Sequence, residues 1–356
     1  MPKQFLIINR KKLFSHLYLI DDGIAKDAVK CILPYLIYKD THIVCETNPG
    51  LGLITTELLN GGIELVRLYE SCDEFRNTLK NLVKMYPDRI ELFSKDIFYM
   101  NVLSYLDKQD RESRVEEMLK GIPIKHWEED PVLTIIGPMA NRNFLRYLIR
   151  AIIYQEEIAL YGRLQMFVFM SKDDYNGFTV SPVQNSRAYK FNCMLFQLLF
   201  DYTILGEYPR KSFLPWSSAT EEFNDHIVYL VRIEGKRILP LKNEQLLHFY
   251  YFLKQISRKG NQRVIPTVEN WLPGLGFDLI TSYHKHKYYN LSIFTESKEL
   301  SPHQLLFIFS KMLQHPEYSV STFIALTESN LITEQTVETD VAEIHNKLIL
   351  NTDHMT

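Results

Sequence analysis

Through roughly residue 210, short runs rich in β-branched and aromatic residues alternate with stretches whose apolar residues recur at helical spacing. Parallel strands cannot be joined by tight turns, so a chain that places a helix between successive strands is restricted to a parallel sheet wrapped by helices. The strand-like runs are His42–Thr47, Ile63–Tyr69, Arg89–Phe93, Val132–Gly137, Arg163–Met170, Asp201–Gly206 and His226–Ile233. Between them, Ile54–Leu59, Cys72–Met85, Asn143–Glu157 and Asn185–Leu199 carry helical periodicity. An α/β fold is expected, with a doubly wound seven-stranded sheet whose last strands run antiparallel.

The pattern changes at Pro240. Asn243–Ser257, Arg263–Trp271 and a helix opened by Ser301-Pro302, where serine caps and proline suits the first turn, describe a small helical domain. The expected boundaries are an N-terminal segment over 1–40, an α/β domain over 41–240, a helical domain over 241–328 and a flexible tail over 329–356 with little to bury. Asp107–Asp130 reads as a charged insertion between the third and fourth strands. Before residue 20, Lys3, Arg10, Lys11, Lys12 and His16 occur without any acid, in the manner of a partial mitochondrial import signal. Phe5–Ile8 and Leu17–Ile20 read better as apolar pieces that pack.

With 356 residues, 46% hydrophobic and 23% charged, the chain can bury a sizeable core and is not of disordered composition. No uncharged apolar run reaches the roughly 20 residues that cross a bilayer, so membrane insertion is not expected. Cys31, Cys45, Cys72 and Cys193 form no C-x-x-C pair and lack histidines at zinc spacing, which disfavours a metal site or a disulfide framework. A net charge of −3 means that any nucleic-acid contact must come from local basic patches.

Glu46-Thr47-Asn48-Pro49-Gly50-Leu51-Gly52 follows the first strand and opens a helix, the setting in which glycines let the backbone approach a ligand closely. About 20 residues on, Glu70 ends the second strand where a ribose-binding carboxylate belongs. After the third strand, Lys95-Asp96-Ile97-Phe98 offers Asp96 to an exocyclic adenine amine and Ile97 or Phe98 to its ring. Glycine turn and two spaced acids describe an S-adenosylmethionine site, with Glu46, Asn48, Gly50, Gly52, Glu70, Asp96 and Ile97 as the cofactor-binding candidates. The full G-x-G-x-x-G of a dinucleotide site and the G-x-x-x-x-G-K of a triphosphate site are both missing.

On these residues the chain resembles the rRNA adenine dimethyltransferase family, and within it the branch that serves mitochondrial transcription. The resemblance runs on through Tyr161-Gly162-Arg163, Pro215-Trp216-Ser217-Ser218, Leu239-Pro240-Leu241 and Leu300-Ser301-Pro302-His303-Gln304, covering roughly 40–325. It implies a class I S-adenosylmethionine-dependent methyltransferase fold with a helical C-terminal domain. The family's methylases carry N-L-P-Y after the fourth strand, holding the target adenine through Asn and stacking it on Tyr. Here the segment reads Gly137-Pro138-Met139-Ala140-Asn141. Pro138 offers neither a side-chain acceptor nor an N–H, and Asn141 is a poor stacking surface. Methyl transfer is expected to be weak or lost unless Asn141 or Asn143 reaches the amine. The branch implies a mitochondrial matrix protein, monomeric, that helps a single-subunit mitochondrial RNA polymerase open promoter DNA and holds the melted strand. The other reading is an N6,N6-dimethyltransferase acting on adenines of mitochondrial small-subunit rRNA.

Between Glu244 and Glu269 there is no acid, and Lys254, Arg258, Lys259 and Arg263 recur beside Tyr250, Tyr251 and Trp271. At helical spacing the first three share one face suited to phosphates, in the domain that the family applies to nucleic acid. The same cations also suit a helix C-terminus. Tyr283–Tyr289 mixes Lys285 and Lys287 with aromatics that could stack on unpaired bases or guard a strand edge.

Overall fold

The computed structural model describes residues 16–36, 43–182, 189–216, 226–258, 262–281 and 291–333. Among the described residues nine strands form: β1 (Tyr18–Leu19), β2 (Ile43–Thr47), β3 (Val66–Tyr69), β4 (Ile90–Phe93), β5 (Leu133–Pro138), β6 (Leu164–Ser171), β7 (Phe200–Pro209), β8 (Phe213–Leu214) and β9 (Ile227–Gly235). The seven expected strands make one sheet in the order β4-β3-β2-β5-β6-β9-β7, and β1 pairs with β8 apart from it. Pairing is parallel from β4 across to β6, while β9 is antiparallel to both β6 and β7. The last strands are thus antiparallel, as expected, and being antiparallel to β9 returns β7 to the common direction.

Helices cover both faces of the sheet, which is why β5 is buried at every position. The helix Leu53–Asn60 follows β2, Asp73–Met85 follows β3 and Asn143–Tyr154 follows β5. Met100–Asp110 and Arg114–Met118 are helical, so part of the charged stretch after β4 is built into the fold through Val115 and Met118. Leu17, Tyr18 and Leu19, with Ala25, Ala28, Val29 and Ile32 of the helix Asp22–Ile32, join the core beneath β2 and β3. Residues 1–15, which hold the basic part of the expected import signal, lie outside the described residues.

The chain divides into two compact units, one of 1–104, 113–179 and 199–239 and one of 105–112, 180–198 and 240–356. In the second, the helices Asn243–Ile256, Val264–Trp271 and Pro302–Leu313 enclose Phe249, Phe252, Trp271, Phe309 and Phe323. Ser301 caps the last of these, its hydroxyl accepting the Gln304 N–H while the Gln304 side chain accepts the Ser301 N–H at 2.8 Å. A further helix spans 322–333, and 334–356 lies outside the described residues.

Where β6 meets β9 a polar network is buried. Arg163 donates to Glu234 at 2.8 Å and to the Glu129 carbonyl, and Gln165 donates to the other Glu234 oxygen at 2.8 Å. Removing Arg163 takes one of two cationic partners from the buried Glu234, which keeps Arg232, and leaves the Glu129 and Gly235 carbonyls without this donor. Arg163→Ala should lower the stability of the fold by about 3 kcal/mol, read by urea unfolding.

Candidate functional site

From β2 the sheet grows outward through β3 and β4, and the chain then returns to place β5 on the other side of β2. The carboxyl ends of β2 and β5 therefore flank the crevice in which a doubly wound sheet binds its ligand. Six of the seven cofactor candidates converge beside it. Glu46, at the end of β2, is fully buried; its Oε2 accepts the Thr55 hydroxyl at 2.5 Å and its Oε1 has no partner. Burial pushes its pKa up to about 8, so it is protonated at neutral pH. Asn48, at φ 55°, donates its N–H to the Tyr69 carbonyl while its buried Oδ1 is unpartnered.

Gly50 and Gly52 both take left-handed backbone, at φ 56° and 73°, which turns the chain sharply enough to aim the Gly50 N–H at Glu70. Glu70 stands just beyond β3 and is 2% exposed. Its Oε2 accepts the Gly50 N–H at 3.1 Å, and its Oε1 accepts the Cys72 N–H at 2.7 Å and the Tyr18 hydroxyl at 3.2 Å. Burial raises its pKa to about 7, outweighing those donors. Asp96 accepts the Thr47 hydroxyl at 3.0 Å and the Phe98 N–H at 2.8 Å on one oxygen, and meets His16 Nε2 at 3.2 Å on the other. It thus caps the turn Ile97–Tyr99 as well as facing the crevice. Ile97 is buried in the core, and Phe98 takes the place at the crevice wall.

Beside these acids lies a cavity of about 690 Å³ whose lining includes His16, Asn48, Asp96, Phe98, Asn141 and Asn143. An S-adenosylmethionine-type cofactor would need Glu70 for its ribose hydroxyls. That carboxylate already holds three donors, and the Tyr18 ring lies against the glycine turn, its Cδ1 3.0 Å from where a Gly50 Cβ would stand. The acids occupy the strands such a cofactor requires, and a ribose would compete with the Tyr18 hydroxyl for Glu70.

At the end of β5, Gly137 has φ 150° and a Cβ there would stand 2.1 Å from the Thr47 carbonyl oxygen, so only glycine lets β5 pass the end of β2. Pro138 is the last residue of the strand, paired with Phe169, and Met139 is buried with its N–H on the Phe169 carbonyl at 2.8 Å. The exposed Asn141 accepts the Asn143 backbone N–H on its Oδ1 at 2.9 Å, and the Asn143 side-chain Oδ1 accepts Arg146 at 3.3 Å. Both amides are engaged in their own turn.

His16 and Tyr18 were not among the expected site residues. Their only sequence signal is a spacing of two in an extended run, which puts them on one face. In the second unit, the helix carrying Lys254 stops at Ile256, so the exposed Arg258 lies beyond it and does not share the expected helical face. Lys254 sits over the Tyr250 and Tyr251 rings at 5.6 and 5.7 Å, and the exposed Arg263 lies over Phe294 at 5.0 Å. Lys259, Lys285, Lys287 and the rest of Tyr283–Tyr289 lie outside the described residues, as do Ser217 and Ser218. Among the described residues no group of His, Cys, Asp or Glu could hold a metal, and no helix is long and apolar enough to cross a membrane.

The raised carboxyls of Glu46 and Glu70 set a pH dependence. A carboxyl with a higher pKa folded than unfolded keeps its proton longer in the native state, so its contribution to stability is full below about 4.5 and is lost as pH rises toward 8. Thermal unfolding should show a lower Tm near pH 8 than near pH 5.5, and Glu46→Gln should reduce that fall.

No protein-family model matches the sequence. The chain is 28% identical over 375 residues to mitochondrial dimethyladenosine transferase 2 of Drosophila melanogaster, covering 93% of this chain and 83% of that protein. The protein of the same name in Rattus norvegicus is 25% identical over 63% of this chain and 60% of its own length, and that of Homo sapiens 23% over 70% and 67%. Among solved structures, the 23S rRNA methyltransferase ErmE superposes with a TM-score of 0.53 at 14% identity, covering 83% of this chain and 98% of that one. A dimethyladenosine transferase from Plasmodium falciparum gives 0.51 at 14%, covering 85% and 98%. The fold is that of a class I methyltransferase, and the relatives' names support a mitochondrial location. Similarity to proteins named mitochondrial dimethyladenosine transferase 2 thus runs through nearly the whole chain, on a fold shared with rRNA methyltransferases.

Proposed function

We propose that this chain is a mitochondrial transcription initiation factor that methylates little or nothing, working as a monomer to help a single-subunit mitochondrial RNA polymerase open promoter DNA and keep the melted strand apart. The observation that carries the reading is the end of β5. Gly137 is the residue that backbone crossing demands, while the two positions that would grip and stack a target adenine hold Pro138, paired in the sheet, and Asn141, bonded to its own turn. Methyl transfer rests mainly on in-line positioning of donor and acceptor, so losing the acceptor's holder removes most of what the protein contributes. The nucleic-acid fold survives without the reaction.

The single strand would be held by phosphate contacts from cations set among aromatics, as Lys254 is with Tyr250 and Tyr251 and Arg263 with Phe294. The rival reading, a dimethyltransferase of mitochondrial small-subunit rRNA, draws on the relatives' names and on the buried acids Glu46, Glu70 and Asp96.

Purified protein added to its cognate polymerase on linear promoter DNA should stimulate start-site transcription, and no stimulation would sink the proposal. Incubated with labelled S-adenosylmethionine and an rRNA hairpin, it should leave adenine unmethylated above background; clear dimethylation would establish the rival. Replacing Arg258 and Arg263 together by Glu should weaken single-stranded DNA binding and reduce the slope of log K against log salt by roughly 1.4, about 0.7 for each phosphate contact.

A further inference from the structure

The two carboxylates that would recognise a nucleoside are each met by a side chain from one short segment. Tyr18 places its hydroxyl 3.2 Å from Glu70 Oε1, and His16 places Nε2 3.2 Å from Asp96 Oδ2. In extended backbone, residues two apart share a face. Pairing of β1 with β8, Tyr18 against Leu214 and Leu19 against Phe213, holds this segment in place, and the Ile20 N–H continues the pairing onto the Ser212 carbonyl at 3.0 Å. Tyr18 is 1% exposed and packs on Phe75 with ring centres 4.6 Å apart, while His16 lies at the cavity wall, 6.0 Å from the Tyr18 ring.

The chemistry of these contacts matches that of a nucleoside. A phenol hydroxyl donates to a carboxylate as a ribose hydroxyl does, and an imidazole N–H donates to Asp96 as an exocyclic amine does. We infer that Tyr18 and His16 are intramolecular stand-ins for the ribose hydroxyl and the adenine amine of the methyltransferase cofactor, so that β1 seals the crevice in cis and the chain folds and works without S-adenosylmethionine. The seal supplies donors to carboxylates that would otherwise be buried short of partners. A nucleoside entering the crevice has to break the Tyr18–Glu70 bond and move the ring off the glycine turn. The inference goes beyond the polymerase role and does not require it.

Titration calorimetry of the full chain with S-adenosylmethionine and with S-adenosylhomocysteine tests the seal. Tyr18→Phe removes only the hydroxyl, and Tyr18→Ala also clears the ring from Gly50. Both variants should bind at least about tenfold more tightly than the unaltered chain, the worth of one hydrogen bond to a charged group. Adding Glu70→Ala to Tyr18→Phe should cancel the gain. Equal affinity in the unaltered chain and Tyr18→Phe, or no gain in either variant, overturns the inference. If circular dichroism shows that Tyr18→Ala does not fold, Tyr18→Phe, which retains the packing on Phe75, decides alone. The titration reads the seal and the transcription assay reads the polymerase role, so each can fail without the other.

Discussion

Three carboxylates buried along one edge of the sheet, Glu46, Glu70 and Asp96, constrain everything built around them. A carboxylate removed from water must find donors or keep its proton, because its desolvation costs more than one core side chain contributes. Each of the three meets that demand differently. Glu46 stays protonated with Thr55 on one oxygen. Glu70 gathers the Gly50 and Cys72 N–H groups and the Tyr18 hydroxyl, and Asp96 gathers Thr47, Phe98 and His16. The left-handed turn at Gly50 and Gly52 and the pairing of β1 with β8 follow as the means by which these donors arrive.

The end of β5 separates two kinds of requirement that a methyltransferase normally satisfies together. Backbone crossing past Thr47 needs a glycine at 137 whatever the chain does, and the glycine is there. Gripping a base needs an amide and an aromatic, and here a proline finishes the strand and an asparagine closes the next turn. In the helical unit, Lys254 lies over the Tyr250 ring and the buried Tyr251 ring.

Much of this was legible in the sequence. All seven strands of the sheet followed from apolar runs and helical spacing, since both depend on side-chain periodicity within a dozen residues. The glycine turn and the two spaced acids were readable for the same local reason, and they do meet at one crevice. The antiparallel pairing of the last strands was expected, but the order that sets β9 between β6 and β7 depends on pairing between distant segments. Arg258 was assigned to a helical face that ends before it, a matter of two residues at a helix terminus.

The sequence by itself determined the α/β architecture and the position of the acids at the ends of their strands, because each is a property of neighbouring residues. Only the tertiary structure decided what the acids touch. Tyr18 reaches Glu70 across 52 positions of sequence and His16 reaches Asp96 across 80, and no periodicity encodes such a meeting. Whether a buried carboxylate waits for a ligand or is already satisfied depends on donors delivered by distant elements, and here β1 delivers them.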